Sequence, residues 1–131
     1  DVMSDMVSTA FGSLAMMTSV LVSPDGNYEF EAAHGTVTKH YYKHLKGEKT
    51  STNPIATIFA WSGALRKRGE LDNIPALIDY ADKLEKASIQ TMEEGVMDKN
   101  LAAMSKLENK RPVDTETFLT EINNRLSVLM G

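Results

Sequence analysis

A strand–turn–strand signature near the start of the chain most constrains what it can fold into. Thr18 to Val22 (Thr-Ser-Val-Leu-Val) is rich in β-branched residues and predicts a strand. Tyr28 to Ala32 alternates, with Tyr28, Phe30 and Ala32 on one face and Glu29 and Glu31 on the other, the pattern of a half-buried strand. Between them, Ser23-Pro24-Asp25-Gly26-Asn27 is turn chemistry: proline presets φ and glycine accepts positive φ. Together the three segments predict a β-hairpin.

Around the hairpin the pattern is helical. Asp1 to Phe11 predicts a short helix or the end of one, Gly12-Ser13 breaks it, and Leu14 to Met17 begins a buried segment. After the hairpin a basic loop is expected from His34 to about Ser51, and then Thr52-Asn53-Pro54 starts a helix. Asn53 can cap it, and Pro54 suits a first position that needs no N–H. Ile55, Ile58, Phe59, Ser62 and Leu65 form its buried stripe, Trp61 is expected in the core with Ile58 and Phe59, and Gly69 ends the helix after Arg66-Lys67-Arg68. A second helix is expected from about Pro75 to Glu94, opened by Asn73 and closed by Gly95. Its stripe is Leu77, Ala81, Leu84, Ser88 and Met92, with Asp82 and Lys86 as an i,i+4 pair. A short helix capped by Asp98, a polar connector from Lys106 to Pro112, and a last helix complete the chain. That last helix is capped by Asp114 or Thr115 and buries Phe118, Ile122, Leu126 and Leu129. Taken alone this order is α+β; within a larger protein it is the helical side of an α/β domain.

Composition removes several function classes. At 131 residues the chain is one domain at most, and 42% apolar with 24% charged residues is ordinary globular composition. Without cysteine there is no disulfide scaffold, thiolate zinc site or cysteine nucleophile. A net charge of −4 disfavours nucleic-acid binding through bulk charge, and no apolar run is long enough to span a membrane. No targeting segment is visible, which predicts the cytoplasm. The opening Asp1-Val2-Met3-Ser4-Asp5 lacks an initiator methionine and predicts a chain cut from a longer protein.

The charge is unevenly spread. From His34 to Lys49 four lysines (Lys39, Lys43, Lys46, Lys49) stand against one acid, Glu48. That is a net +3, leaving −7 on the rest, and all three histidines (His34, His40, His44) fall in the same stretch. Such an island is either a local anion site or a solvated basic loop. Tyr41 and Tyr42 among lysines give a weak single-stranded nucleic-acid signal, and His40 with His44 a weak zinc pair, with only His34 nearby as a third ligand and flanking lysines unfavourable to a dication. Asp1 and Asp5, four apart, would share a helix face and form half of a hard-cation site. The signal is weak by itself, because acid pairs at this spacing are common on solvated faces. The segment from Glu31 to Tyr41 carries more: a strand end, then Gly35, hydroxyls on Thr36 and Thr38, and Lys39. Backbone N–H groups near a glycine, with hydroxyls and a lysine beside them, suit a phosphate. Downstream, the Asn53 amide suits a nucleobase edge. Neither the Rossmann nor the Walker pattern is present.

Several long strings point the same way. Asp1-Val2 with Ser4-Asp5, Gly12-Ser13-Leu14, Met16 to Val22, Pro24-Asp25-Gly26, Glu31 to Tyr41, Thr50 to Ala56 and Ile58 to Trp61 closely resemble NADP-dependent isocitrate dehydrogenase. The resemblance is to the homodimeric branch that includes the eukaryotic enzymes. It is dense to Trp61, looser to about Ala103, and then thins.

This resemblance implies an α/β fold, with residues 1–131 forming the C-terminal part of the large domain of an isocitrate/isopropylmalate dehydrogenase-like fold. It implies oxidative decarboxylation of isocitrate to 2-oxoglutarate with reduction of NADP, a Mg²⁺ or Mn²⁺ ion acting as Lewis acid, and a homodimer. By position, Asp1 and Asp5 resemble metal carboxylates. His34, Gly35, Thr36, Val37, Thr38, Lys39 and His40 resemble the cofactor loop, expected over residues 34–53, and Asn53 the adenine contact. If the source is eukaryotic, the mitochondrial matrix joins the cytoplasm as an expected compartment. One position departs: the family usually has arginine where this chain has Lys39, which keeps the charge and loses the bidentate fork. The family's substrate-binding serine, arginine cluster, catalytic tyrosine and lysine and a further metal aspartate lie upstream of the matching region, so no catalytic residue is assigned and the chain alone is expected to be inactive. The alternatives are another β-decarboxylating dehydrogenase, or a non-catalytic nucleotide-binding or dimerisation module.

Overall fold

The structure is a computed structural model that describes residues 18–32, 38–50 and 53–131. Strands β1 (Thr18–Val22) and β2 (Tyr28–Ala32) pair antiparallel as expected, with Val20 opposite Phe30. Gly26 turns the chain at φ 83°, the Ser23 N–H donates to the Asn27 carbonyl at 2.9 Å, and the Ser23 Oγ accepts the Asn27 N–H at 3.1 Å.

Next comes α1 (Thr38–Leu45), where a loop was expected. No glycine or proline interrupts Thr38 to Leu45, and Gly47 then closes the helix at φ 76°. The Gly47 N–H donates to the His44 carbonyl and the Glu48 N–H to the Lys43 carbonyl, which satisfies the last turn in a Schellman motif. None of the residues of α1 is buried.

The body is built by α2 (Ile55–Leu71), α3 (Pro75–Glu93), β3 (Val96–Asp98), α4 (Lys99–Met104), β4 (Arg111–Val113) and α5 (Thr115–Met130). Its core joins Ile55 of α2, Ile89 and Met92 of α3, Met97 of β3, Leu101 of α4, and Phe118 and Ile122 of α5. The hairpin lies on α2, which in turn packs along α3. Asp98 caps α4 by accepting the Asn100 and Leu101 N–H groups, and Asp114 caps α5 by accepting the Thr117 N–H at 2.7 Å.

Four local expectations change. First, α2 runs through Gly69 to Leu71. Gly69 is buried, and an added Cβ would lie 2.7 Å from the Ile78 side chain, so this glycine admits a close approach of α3 rather than ending α2. Asn73, at φ 53°, takes the left-handed turn instead, and Ile74 occupies the cap of α3. Second, the segments expected as helix start and polar connector contribute two three-residue strands, β3 and β4. They pair in parallel, Met97 opposite Pro112, across a crossover containing α4. Third, Asp82 meets Arg66 of α2 at 2.8 Å rather than Lys86. Fourth, Trp61 is 64% exposed instead of buried. It faces outward from α2 and, with Phe30, Ala32 and Thr57, lines a cleft of about 320 Å³ between β2 and α2.

Candidate cofactor site

The described candidate residues lie on α1 and just before α2. Thr38, Lys39 and His40 make up the first turn of α1. Lys39 is exposed. His40 is half-buried, and its Nδ1 is enclosed without a hydrogen-bond partner among the described residues. An unpaired enclosed nitrogen is costly to keep. At the start of α2, the Asn53 Oδ1 accepts the Ile55 N–H at 2.9 Å, which fixes the direction of the amide. Pro54 occupies the cap, where its missing N–H costs nothing.

The electrostatics of this corner are cationic. Lys43 and His44 follow one turn later on α1, and Lys46 and Lys49 lie just beyond its end. Lys49 approaches Asp114 at 3.9 Å, a loose pair across to the cap of α5. Asp114 itself is held below the usual carboxylate range by hydrogen bonds from the Thr117 side chain and backbone, with Lys49 and Lys99 adding to the effect.

His34, Gly35, Thr36 and Val37 of the expected cofactor loop, and the metal candidates Asp1 and Asp5 with their expected helix, lie outside the described residues. Among the described residues no three His, Cys, Asp or Glu side chains cluster to hold a metal ion. Among them, too, no helix is long and apolar enough to cross a membrane.

A family model described as isocitrate/isopropylmalate dehydrogenase matches residues 1–122. The chain belongs to that family. Mitochondrial NADP isocitrate dehydrogenase of Saccharomyces cerevisiae is 57% identical over 129 residues, covering 96% of this chain and 30% of that protein. The mitochondrial NADP enzyme of Mus musculus is 50% identical over 137 residues, covering 100% of this chain and 30% of its own length. The peroxisomal NADP enzyme of Candida tropicalis is 49% identical over 134 residues, covering 100% and 33%. The chain thus spans about a third of the length of the curated relatives it matches.

Membership bears out the mixed α/β class and the resemblance read from the strings between Asp1 and Trp61. Of the candidate residues, the described ones fall on two neighbouring stretches of chain, the first turn of α1 and the entry to α2. The helical setting of Lys39 and His40 was missed by sequence reasoning, although the uninterrupted Thr38–Leu45 run followed by Gly47 carried the signal.

Proposed function

We propose that this chain forms the cofactor-recognising part of an NADP-dependent isocitrate dehydrogenase, which oxidatively decarboxylates isocitrate to 2-oxoglutarate as a homodimer. The observation that carries this reading is the first turn of α1, where a lysine stands beside a histidine whose enclosed nitrogen has no partner among the described residues. The donor set fits a 2′-phosphate. Lys39 brings a full positive charge, His40 a ring nitrogen, and the start of a helix adds outward-pointing N–H groups and a favourable dipole. Thr36 and Thr38 add hydroxyls, and Asn53, oriented by its bond to Ile55, suits the adenine edge. An acidic residue in place of Lys39 would instead have favoured the free 2′-hydroxyl of NAD.

Asp1 and Asp5 supply oxygen donors of the kind Mg²⁺ and Mn²⁺ prefer. When bound, the divalent ion supplies Lewis-acid stabilisation of negative charge on the substrate, and NADP accepts the electrons of the oxidation. The chain's own residues bind and orient: Lys39 and His40 hold the 2′-phosphate end, and Asn53 sets the base. Without the substrate-binding and proton-transferring groups expected elsewhere in the enzyme, the 131-residue chain alone reduces no NADP.

Cofactor kinetics on the full-length enzyme test the assignment. The expected result is a kcat/KM for NADP above that for NAD, with the preference collapsing in Lys39→Glu. A value for NAD equal to or above that for NADP refutes it. Reduction of NADP by the purified 131-residue chain, followed at 340 nm, refutes the statement that the chain alone is inactive.

A further inference from the structure

The basic island is larger than the two cations assigned to the 2′-phosphate. Lys43 lies one turn beyond Lys39, about 6 Å along the axis of α1, and Lys46 stands just past the helix end, about 10 Å along. Both are exposed, and neither meets a carboxylate among the described residues. On α2 the pattern is the opposite: Arg66 meets Asp82 and Glu85, Lys67 meets Glu70, and Arg68 meets Asp72. Residues 34–49 carry a net +3 while the remainder of the chain carries −7, so this stretch is the concentrated basic segment of an acidic chain.

We propose that Lys43 and Lys46 form a guiding row that draws the phosphates of NADP toward Lys39 and His40. The inference rests on the NADP reading of the site and places part of the selection in the rate of capture rather than in contacts of the bound state. NADP carries about two more negative charges than NAD at neutral pH, so a fixed field accelerates it more. Lys43 lies within one Debye length of Lys39 at physiological ionic strength and Lys46 slightly beyond it, so Lys43 acts more strongly and Lys46 is partly screened. Lys43 also complements the helix macrodipole, a structural role that would leave capture rates unmoved.

The test is stopped-flow binding of NADP and of NAD to the full-length enzyme over a range of ionic strength, comparing the parent with Lys43→Gln/Lys46→Gln and Lys43→Arg/Lys46→Arg. The expected result is an association rate for NADP lowered about threefold near physiological ionic strength in the glutamine pair. Its salt dependence becomes shallower, its dissociation rate stays unchanged, the loss for NAD is smaller, and the arginine pair retains the parental rate. An unchanged association rate, a loss carried by dissociation, or equal losses for both cofactors overturns the proposal. A parent that binds NADP no more tightly than NAD refutes the site assignment itself. A parent whose preference depends on Lys39 but whose association rate ignores Lys43 and Lys46 refutes the guiding row alone.

Discussion

Gly95 and Gly26 both sit at positive φ, 90° and 83°, but in different surroundings, and the pair isolates what a methyl group costs the fold. At Gly26 an added Cβ meets nothing within 4 Å, so Gly26→Ala pays only for left-handed backbone, about 1–2 kcal/mol. At Gly95 the same atom would stand 2.2 Å from the Asn109 carbonyl oxygen and 3.1 Å from its carbon. The obstacle is backbone and cannot rotate away. Relief requires residue 109 to move by about 1 Å, since ordinary contact lies near 3.4 Å or beyond. The Gly95 carbonyl accepts the Arg111 N–H at 2.8 Å and Val96 pairs with Arg111, so that movement pulls on the β3–β4 ladder. Overpacking of this kind costs about 1–3 kcal/mol, which puts Gly95→Ala at about 2–5 kcal/mol in all. That is a large part of the stability of an ordinary domain. Urea unfolding followed by far-ultraviolet circular dichroism measures both variants, with the midpoint shift multiplied by the slope giving the loss. The loss at Gly95 should exceed that at Gly26 by more than about 1 kcal/mol, and Asn109→Ala in the Gly95→Ala background should recover nothing. Equal losses at the two glycines, or recovery on truncating Asn109, would refute the reasoning.

Three further outcomes follow from the geometry. Lys39→Arg restores a planar fork toward the 2′-phosphate and should raise the kcat/KM ratio of NADP over NAD by about three- to tenfold, the equivalent of one further hydrogen bond; a lowered ratio contradicts that placement. Asp114 has a depressed folded-state pKa, so its contribution to stability is present above its unfolded value near pH 4 and lost as pH falls through the folded value. Asp114→Asn should flatten that acid limb in pH-dependent urea unfolding, and a limb identical to the parent's counts against the cap. Ser62, fully buried, has its Oγ 2.5 Å from Glu85 Oε1 and 3.0 Å from the Phe59 carbonyl, while Glu85 is also held by Arg66. Ser62→Ala should therefore cost only about 1 kcal/mol, because the carboxylate keeps a partner; a loss above about 3 kcal/mol would mean Glu85 depends on the hydroxyl alone.

Much of the helical body is legible in sequence because burial imposes periodicity. Leu77, Ala81, Leu84, Ser88 and Met92 recur at helical spacing because that face of α3 is buried or half-buried, and Phe118, Ile122 and Leu126 of α5 do the same. The hairpin is legible for a second reason, since its turn chemistry is local and independent of what packs against it. Strands β3 and β4 are not, because three residues complete no recognisable alternation and their pairing is set by the crossover between them. Gly69 misleads because a glycine needed for helix–helix contact and a glycine needed for a helix end look alike in sequence; only the Ile78 side chain, nine residues on, distinguishes them. Trp61 misleads in the opposite sense, since size and apolarity argue for the core while its position on α2 turns it outward.

The candidate site obeys a different logic from the body. Because α1 buries none of its residues, no stripe records which of its faces matters. Its eight residues are also too few to hold a helix by propensity alone, and the end closure at Gly47 with cations in the last turn supplies part of what is missing. What made the site visible was residue identity over a long string, from Glu31 to Tyr41 and again at Asn53, which periodicity cannot supply. On the proposed NADP reading, a helix beginning at Thr38 brings the charge of Lys39, the ring of His40 and the favourable dipole of a helix start to one end of one element. A loop carrying the same residues would have to order them on binding and lose affinity in doing so. On that reading, the helical geometry of α1, which the sequence pattern conceals, favours cofactor binding by holding these residues in order beforehand.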